Sequence, residues 1–153
     1  MVGYVILLTI GIIMGLLVYT WLSTYVPKEA AECPDGVSIS VDSLTCGTNQ
    51  ISFYLKNNGL FKIDGYYIYA TTNSLQDVAT KNLIPTSEGD VINVLLDPGK
   101  SVDETQTFAL DESIYSVEIT PMRIQPNAKG VLTFVQCSDA KVIEKKRCDY
   151  TAT

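Results

Sequence analysis

The 153-residue chain contains no histidine. This absence excludes Ser-His-Asp and Cys-His catalytic arrangements and removes the commonest metal ligand. The sequence also lacks the G-x-S-x-G, P-loop and G-x-G-x-x-G patterns that accompany hydrolase, nucleotide and dinucleotide sites. We therefore expect a protein that is not an enzyme and that uses no cofactor.

Basic residues are few: 11 Lys and Arg face 17 Asp and Glu, which gives a net charge of -6. Binding to nucleic acid needs a basic surface that releases counterions, so no nucleic acid partner is expected. The sequence also has no Asn-x-Ser/Thr site, so glycans at the usual N-linked position are not expected.

Charge is missing altogether from the first 27 residues, which hold no Asp, Glu, Lys or Arg. The stretch from Val2 to Leu22 would span roughly 31 Å as a helix, enough to cross a hydrocarbon core. A cleavable signal peptide is the alternative, but such signals begin with basic residues and have a shorter apolar stretch that ends at a small-residue cleavage site. We therefore predict a retained apolar helix over residues 1–26 for membrane insertion or assembly.

Small and aromatic residues in this helix suggest where it would pack on copies of itself. Gly11 and Gly15 form a small-xxx-small pair, although such spacing also arises by chance in apolar segments. Aromatic residues cluster near the far end, as in the belt at a polar boundary. The predicted packing positions are Val5, Gly11, Ile12, Gly15, Leu16, Tyr19 and Trp21.

Residues 27–36 read as a hinge, because Pro27 should stop the helix and Pro34 lies in a short charged stretch. From residue 37 to 153 the hydrophobic period changes to two, as in Ile51, Phe53 and Leu55. Turn residues such as the Asn-Asn-Gly run at 57–59 separate seven or eight short candidate strands. We predict an all-β, immunoglobulin-like antiparallel sandwich exposed at the surface.

The four cysteines form two close pairs in sequence, and four cysteines allow three disulfide connectivities. Pairing Cys33 with Cys46 and Cys137 with Cys148 is favoured, because each bond would close a loop of hairpin size. A four-thiolate zinc site is the alternative, but its usual knuckles are shorter than the intervals here. Disulfides would place the domain outside the cytoplasm.

Two charged patterns could carry chemistry. The adjacent acidic pairs, Asp103 with Glu104 and Asp111 with Glu112, could suggest a glycosidase or calcium site. Neighbours on a strand point to opposite faces, so a solvated turn or strand edge is favoured. The run from Glu144 to Arg147 is typical of a charged strand edge. The more specific alternative is a salt bridge between subunits, from this run to the acidic linker residues Glu29 and Glu32.

An uncharged starting helix, a break, and a strand-rich domain with "LKNNGLFKIDGYYIY" together resemble the archaeal type IV pilins. The resemblance covers the layout of the whole chain. It implies that prepilin peptidase removes a leader and that pilus machinery assembles the subunits. Bacterial members carry Glu at the fifth mature position. Val5 stands there if Met1 is the mature start, as in archaeal members.

The resemblance implies a structural subunit that is inserted in the membrane before assembly and then polymerises with itself into an extracellular filament for adhesion or surface contact. Archaellins, the subunits of the swimming filament, are one alternative within the same family. A single-pass, outward-facing binding domain that stays in the membrane is the alternative from another class.

Overall fold

The computed structural model describes residues 2–25, 32–84, 91–103, 105–127 and 129–151. Helix α1 covers Val2–Tyr25. Val, Ile and Leu fill most of its positions, and neither terminal turn carries a charged side chain. The predicted helix-stopping residue, Pro27, lies outside the described residues.

Nine strands follow among the described residues: β1 Ile39–Gly47, β2 Gln50–Asn57, β3 Ile63–Thr71, β4 Lys81–Asn82, β5 Ile92–Leu96, β6 Gln106–Ala109, β7 Ser116–Pro126, β8 Leu132–Gln136 and β9 Val142–Glu144. The first sheet has the order β1-β2-β6. In the second sheet β3 and β7 are central. Strands β4 and β5 share the outer edge of β3, and β8 and β9 share that of β7. Every pair is antiparallel, which confirms the predicted helix followed by an antiparallel sandwich.

The core lies between the two sheets. On β2, Ile51, Phe53 and Leu55 are fully buried, as their alternation predicts. The Phe53 ring stacks on Phe108 from β6 at 5.7 Å and meets the edge of Tyr66 from β3 at 6.5 Å. These aromatic contacts therefore join the two sheets through one central side chain.

Strand β7 contains a proline in its interior, where a missing N–H normally breaks a ladder. The Pro121 carbonyl accepts a hydrogen bond from the Cys137 N–H at 2.9 Å, so this residue faces the edge shared by β8 and β9. Pro121 lies in the gap between the two strands. On β7, pairing with β9 ends at Ile119, and pairing with β8 starts at Met122. The Cys137 carbonyl, which an N–H at this position would reach, accepts from the Ala140 N–H at 3.0 Å instead. No carbonyl is left unpaired by the missing donor, and β7 runs through the proline.

Candidate functional site: the apolar helix and its covalent attachment

The side chains of α1 are exposed around the whole helix. The large apolar residues from Tyr4 to Leu22 are each 48–73 % exposed. Five of the predicted packing residues belong to this set: Val5, Ile12, Leu16, Tyr19 and Trp21. A helix that is apolar on all faces is stable only inside a membrane or among other apolar elements.

Three aliphatic hydroxyls of α1 are hydrogen-bonded within the helix. The hydroxyls of Thr9 and Thr20 donate to the carbonyls of Ile6 and Leu17 at 2.9 and 3.0 Å, and Ser23 donates to the Thr20 carbonyl at 2.9 Å. Their hydroxyl protons therefore need no outside acceptor. This matters in hydrocarbon, where an unpaired polar group costs several kcal/mol, roughly.

The helix glycines leave open space beside the backbone. A Cβ built on Gly11 or Gly15 would meet no atom of the described residues within 4 Å, apart from the adjacent helix backbone. No other described part of this chain therefore uses the small size of these residues. A close approach at the Gly11–Gly15 pair would have to come from another molecule.

The segment Gly3–Ser23 is long and apolar enough to cross a membrane, and none of it is buried against the rest of the chain. It is the single candidate span among the residues described. A length of 21 residues fits a hydrocarbon core of about 30 Å.

The sandwich begins at a covalent anchor. Cys33 is bonded to Cys137, which directly follows β8, and the Cα atoms are 5.2 Å apart. Pro34, predicted as part of the hinge, is half-buried beside this bond. The chain is thus tied to the second sheet at Cys33, before it reaches β1.

The second bond joins Cys46 on β1 to Cys148 near the C-terminus, with Cα atoms 5.5 Å apart. The predicted local pairing of Cys33 with Cys46 and of Cys137 with Cys148 is therefore wrong. The physical reason is the extended strand β1. Most of it lies between Cys33 and Cys46, and at about 3.3 Å per residue it separates them by roughly 20 Å or more. Closeness in sequence favoured the local pairs, but the strand between them prevents contact.

The C-terminal strap, residues 145–151, connects the two sheets. Cys148 exchanges two backbone hydrogen bonds of 2.9 Å with Ile114, next to β7. Asn49, in the β1–β2 turn, receives a bond from the Thr151 N–H and donates one to its carbonyl, both at 2.8 Å. The Lys146 ammonium donates to the Leu44 carbonyl on β1. The strap therefore joins β1 of the first sheet to the segment just before β7 of the second sheet.

The acidic pair Asp111 and Glu112 forms a surface ion pair with Lys81. The Lys81 Nζ lies 2.7 Å from Asp111 Oδ2 and 3.2 Å from Glu112 Oε1. The hydrogen bond to Asp111 raises the pKa of Lys81, and the same bond lowers the pKa of Asp111. The Lys81 side chain is 32 % exposed and that of Asp111 is 71 % exposed, so the contact is a solvated ion pair.

The second acidic pair, Asp103 with Glu104, and the run from Glu144 to Arg147 do not form a binding site together in the described residues. Glu104 lies outside the described residues, as does Glu29 of the linker. Arg147 pairs with Asp149 at 2.7 Å and lies over the Tyr115 ring. The predicted salt bridge from this run to Glu29 and Glu32 would join two subunits, so it stays a prediction. Strand β9 ends at Glu144, so the basic residues belong to the strap and not to a strand edge.

A cleft of about 760 Å³ lies on the side where β4 and β5 face β6. Its lining mixes apolar side chains, such as Leu83 and Phe108, with Lys81 and Asp111. Within the described ranges, no group of three or more Cys, Asp or Glu side chains is placed to hold a metal ion.

Comparison of the chain with protein-family models, with curated proteins and with solved structures finds no match. The features that stand out are therefore those of the molecule itself: an exposed apolar helix and a sandwich closed by two long-range disulfides. The two disulfides and the helix fit an extracellular or membrane-anchored protein.

Proposed function

We propose that this chain is a structural subunit that polymerises through α1 into an extracellular filament of the archaeal type IV pilus kind, for adhesion or surface contact. The observation that carries the proposal is the exposure of α1: apolar side chains surround it, and the hydroxyls of Thr9, Thr20 and Ser23 are bonded internally. Such a helix needs an apolar environment, and the sandwich does not cover it.

The same helix suits two states in succession. Before assembly its apolar surface would lie in lipid, and afterwards it would lie among the helices of neighbouring copies. Hydrophobic burial is non-directional, so uniform apolarity serves both environments. A repeated head-to-tail contact whose rotation does not close generates a helical filament. The sandwich would then form the outer surface, with its loops available for contact.

Prepilin peptidase and a pilus assembly machinery are the partners that this proposal requires. They would act on α1 and the segment before it, and the sandwich would already be folded and oxidised outside the cell. Two disulfides suit that location, because thiols in the cytoplasm are kept reduced.

A second candidate is a single-pass, membrane-anchored binding domain. The length of Gly3–Ser23 favours it equally, since the segment spans a bilayer without any partner helix. The two candidates differ in whether α1 contacts other copies of itself. An archaellin-type motility filament would share the assembly contact and differ in what the filament does.

The deciding experiment is negative-stain electron microscopy of material sheared from cells that produce the chain, with cells lacking it as the control. Mass spectrometry identifies the main component of any fibres. Uniform fibres made of this chain would support the filament proposal. Chain found only in the membrane fraction, with no fibres, would overturn it in favour of the anchored binding domain.

A further inference from the structure

The two disulfides overlap along the chain. The first cysteine pairs with the third and the second with the fourth, so Cys33–Cys137 closes a ring of sequence separation 104 and Cys46–Cys148 one of 102. Every peptide bond from Cys33 to Cys148 lies inside at least one ring. Those between Cys46 and Cys137, which include β2 to β8, lie inside both.

Cleaving a bond inside a ring opens the ring without dividing the molecule. We propose that this overlapping pairing keeps the whole sandwich covalently attached to α1 after any single backbone cleavage between Cys33 and Cys148. Two local pairs would give no such protection, because a cut between Cys46 and Cys137 would then release the C-terminal part of the domain.

Exposed loops make such a cut relevant outside the cell, where proteases act on flexible surface segments. Lys129 is exposed in the β7–β8 turn, and Leu75, in the loop after β3, is 87 % exposed. Both sites lie inside the two rings. A protease that cuts either loop would therefore leave two polypeptides joined to each other through both disulfides.

This retention does not depend on what α1 contacts, because the rings lie wholly within the sandwich and its entry point. It would hold a filament surface together, and it would equally hold an anchored domain on a membrane. Failure of the filament proposal would therefore leave it standing, and its own test does not involve filaments.

Cyanogen bromide cleavage of the oxidised full chain under denaturing conditions tests the proposal, because it cuts after methionine whatever the fold. The methionines are Met1, Met14 and Met122, and cleavage after Met122 falls inside both rings. Without reductant we expect residues 15–153 to stay as one species. With reductant it should separate into 15–122 and 123–153. Free 123–153 without reductant would overturn the proposal.

Limited trypsin digestion of the folded full chain in detergent, followed by denaturing gels with and without reductant, then tests retention at natural sites. After a cut at Lys129, the two fragments should stay joined without reductant in the wild type, because the cut lies inside both rings. Either ring alone is sufficient, so the same result is expected for Cys33→Ser/Cys137→Ser and for Cys46→Ser/Cys148→Ser. A cut after Lys145 lies outside the first ring, so only Cys46→Ser/Cys148→Ser should release its C-terminal peptide. Release of that peptide from the oxidised wild type would contradict the assignment of the second ring.

Discussion

Asn57 accepts a hydrogen bond from the backbone N–H of Gly59 through its side-chain Oδ1, at 2.9 Å. The Asn57 side chain is fully buried, and its Nδ2 donates to the carbonyls of Phe61 and Leu96 at 2.8 and 2.9 Å. Its backbone N–H donates to the Lys100 carbonyl, and its own carbonyl accepts from the Gly99 N–H. One side chain therefore joins the β2–β3 connection to the end of β5.

Replacing Asn57 by alanine should lower the free energy of unfolding by about 2–3 kcal/mol, because the carbonyls of buried Leu96 and half-buried Phe61 lose the amide donor of Asn57. The Gly59 N–H keeps its second acceptor, the Ser38 carbonyl, at 3.0 Å. Asn58→Ala is the matched control. Asn58 is exposed and its side-chain amide donates to the Ser40 hydroxyl, so its loss should cost less than about 1 kcal/mol. Urea unfolding of the full chain in mild detergent measures both. Equal effects for the two variants would show that Asn57 does not organise this end of the sandwich.

Gly65 on β3 pairs with both neighbours, Met122 on β7 and Asn93 on β5. A Cβ there would lie 2.7 Å from the Ile92 carbonyl oxygen, which is backbone and cannot rotate away. Gly65→Ala should therefore displace β5 and cost about 2–4 kcal/mol in unfolding free energy.

Gly99→Ala provides the control for Gly65→Ala. Gly99 has a φ of 75° with open space around it, so alanine there should cost only the left-handed strain of about 1–2 kcal/mol. Thermal unfolding of both variants compares steric contact with backbone strain. A smaller loss for Gly65→Ala than for Gly99→Ala would refute the close approach of β5.

The alternating pattern of β2 was sufficient to predict its buried face, because apolar residues at every second position are typical of a strand with one face in the core. The sequence did not predict that β7 continues through Pro121, since a proline ordinarily marks a strand end. The reason is a change of partner strand at that residue, which is a property of the whole sheet. Strand β4 was missed because two residues carry no periodicity.

The apolar helix was predictable because its signal is composition over a long window. The disulfide pairing was not, because it depends on how far β1 carries the chain from Cys33 to Cys46. The role of Asn57 was hidden for a similar reason. Its sequence context indicates a turn, and only the fold brings Leu96 and Lys100 to it.

The buried hydroxyl of Tyr66 should make the stability of the sandwich depend on pH in alkaline solution. Burial raises the pKa of its hydroxyl well above the ordinary value of 10.0, and the hydroxyl donates to Gln106 Oε1 at 2.9 Å. The folded state therefore keeps a proton that the unfolded state loses above pH about 10. Stability from this group is present below that pH and falls above it by about 1.4 kcal/mol per pH unit.

Tyr66→Phe should remove this part of the pH dependence and lower stability at neutral pH by about 1 kcal/mol through the lost hydrogen bond. Unfolding free energies of wild type and variant from pH 7 to about 12 provide the measurement. The two proteins differ in no other ionisable group, so the difference isolates Tyr66. A difference that stays constant with pH would contradict the raised pKa.

The disulfides should differ in their ease of reduction. Cys137 and Cys148 are each 1 % exposed, but their partners differ, because Cys46 is exposed and Cys33 is half-buried. A thiolate can therefore reach Cys46 Sγ first, because exchange requires access to a sulfur. Graded reduction of the folded chain, with alkylation and peptide mapping, should show Cys46 and Cys148 labelled before Cys33 and Cys137. Mapping that links Cys33 to Cys46 would contradict the pairing itself.

Gly15→Leu tests whether α1 packs on copies of itself. The open space beside Gly15 would be filled, so close helix contact should be blocked and filament yield should fall at least about tenfold, while membrane retention stays unchanged. Thr9→Leu is the control, because it adds a similar apolar side chain on another face of the helix and removes only an internal bond. Fibres are counted by electron microscopy and the membrane fraction by immunoblot. Normal filaments from Gly15→Leu would exclude this glycine from the subunit contact, and loss in both variants would indicate that the helix tolerates no added bulk on either face.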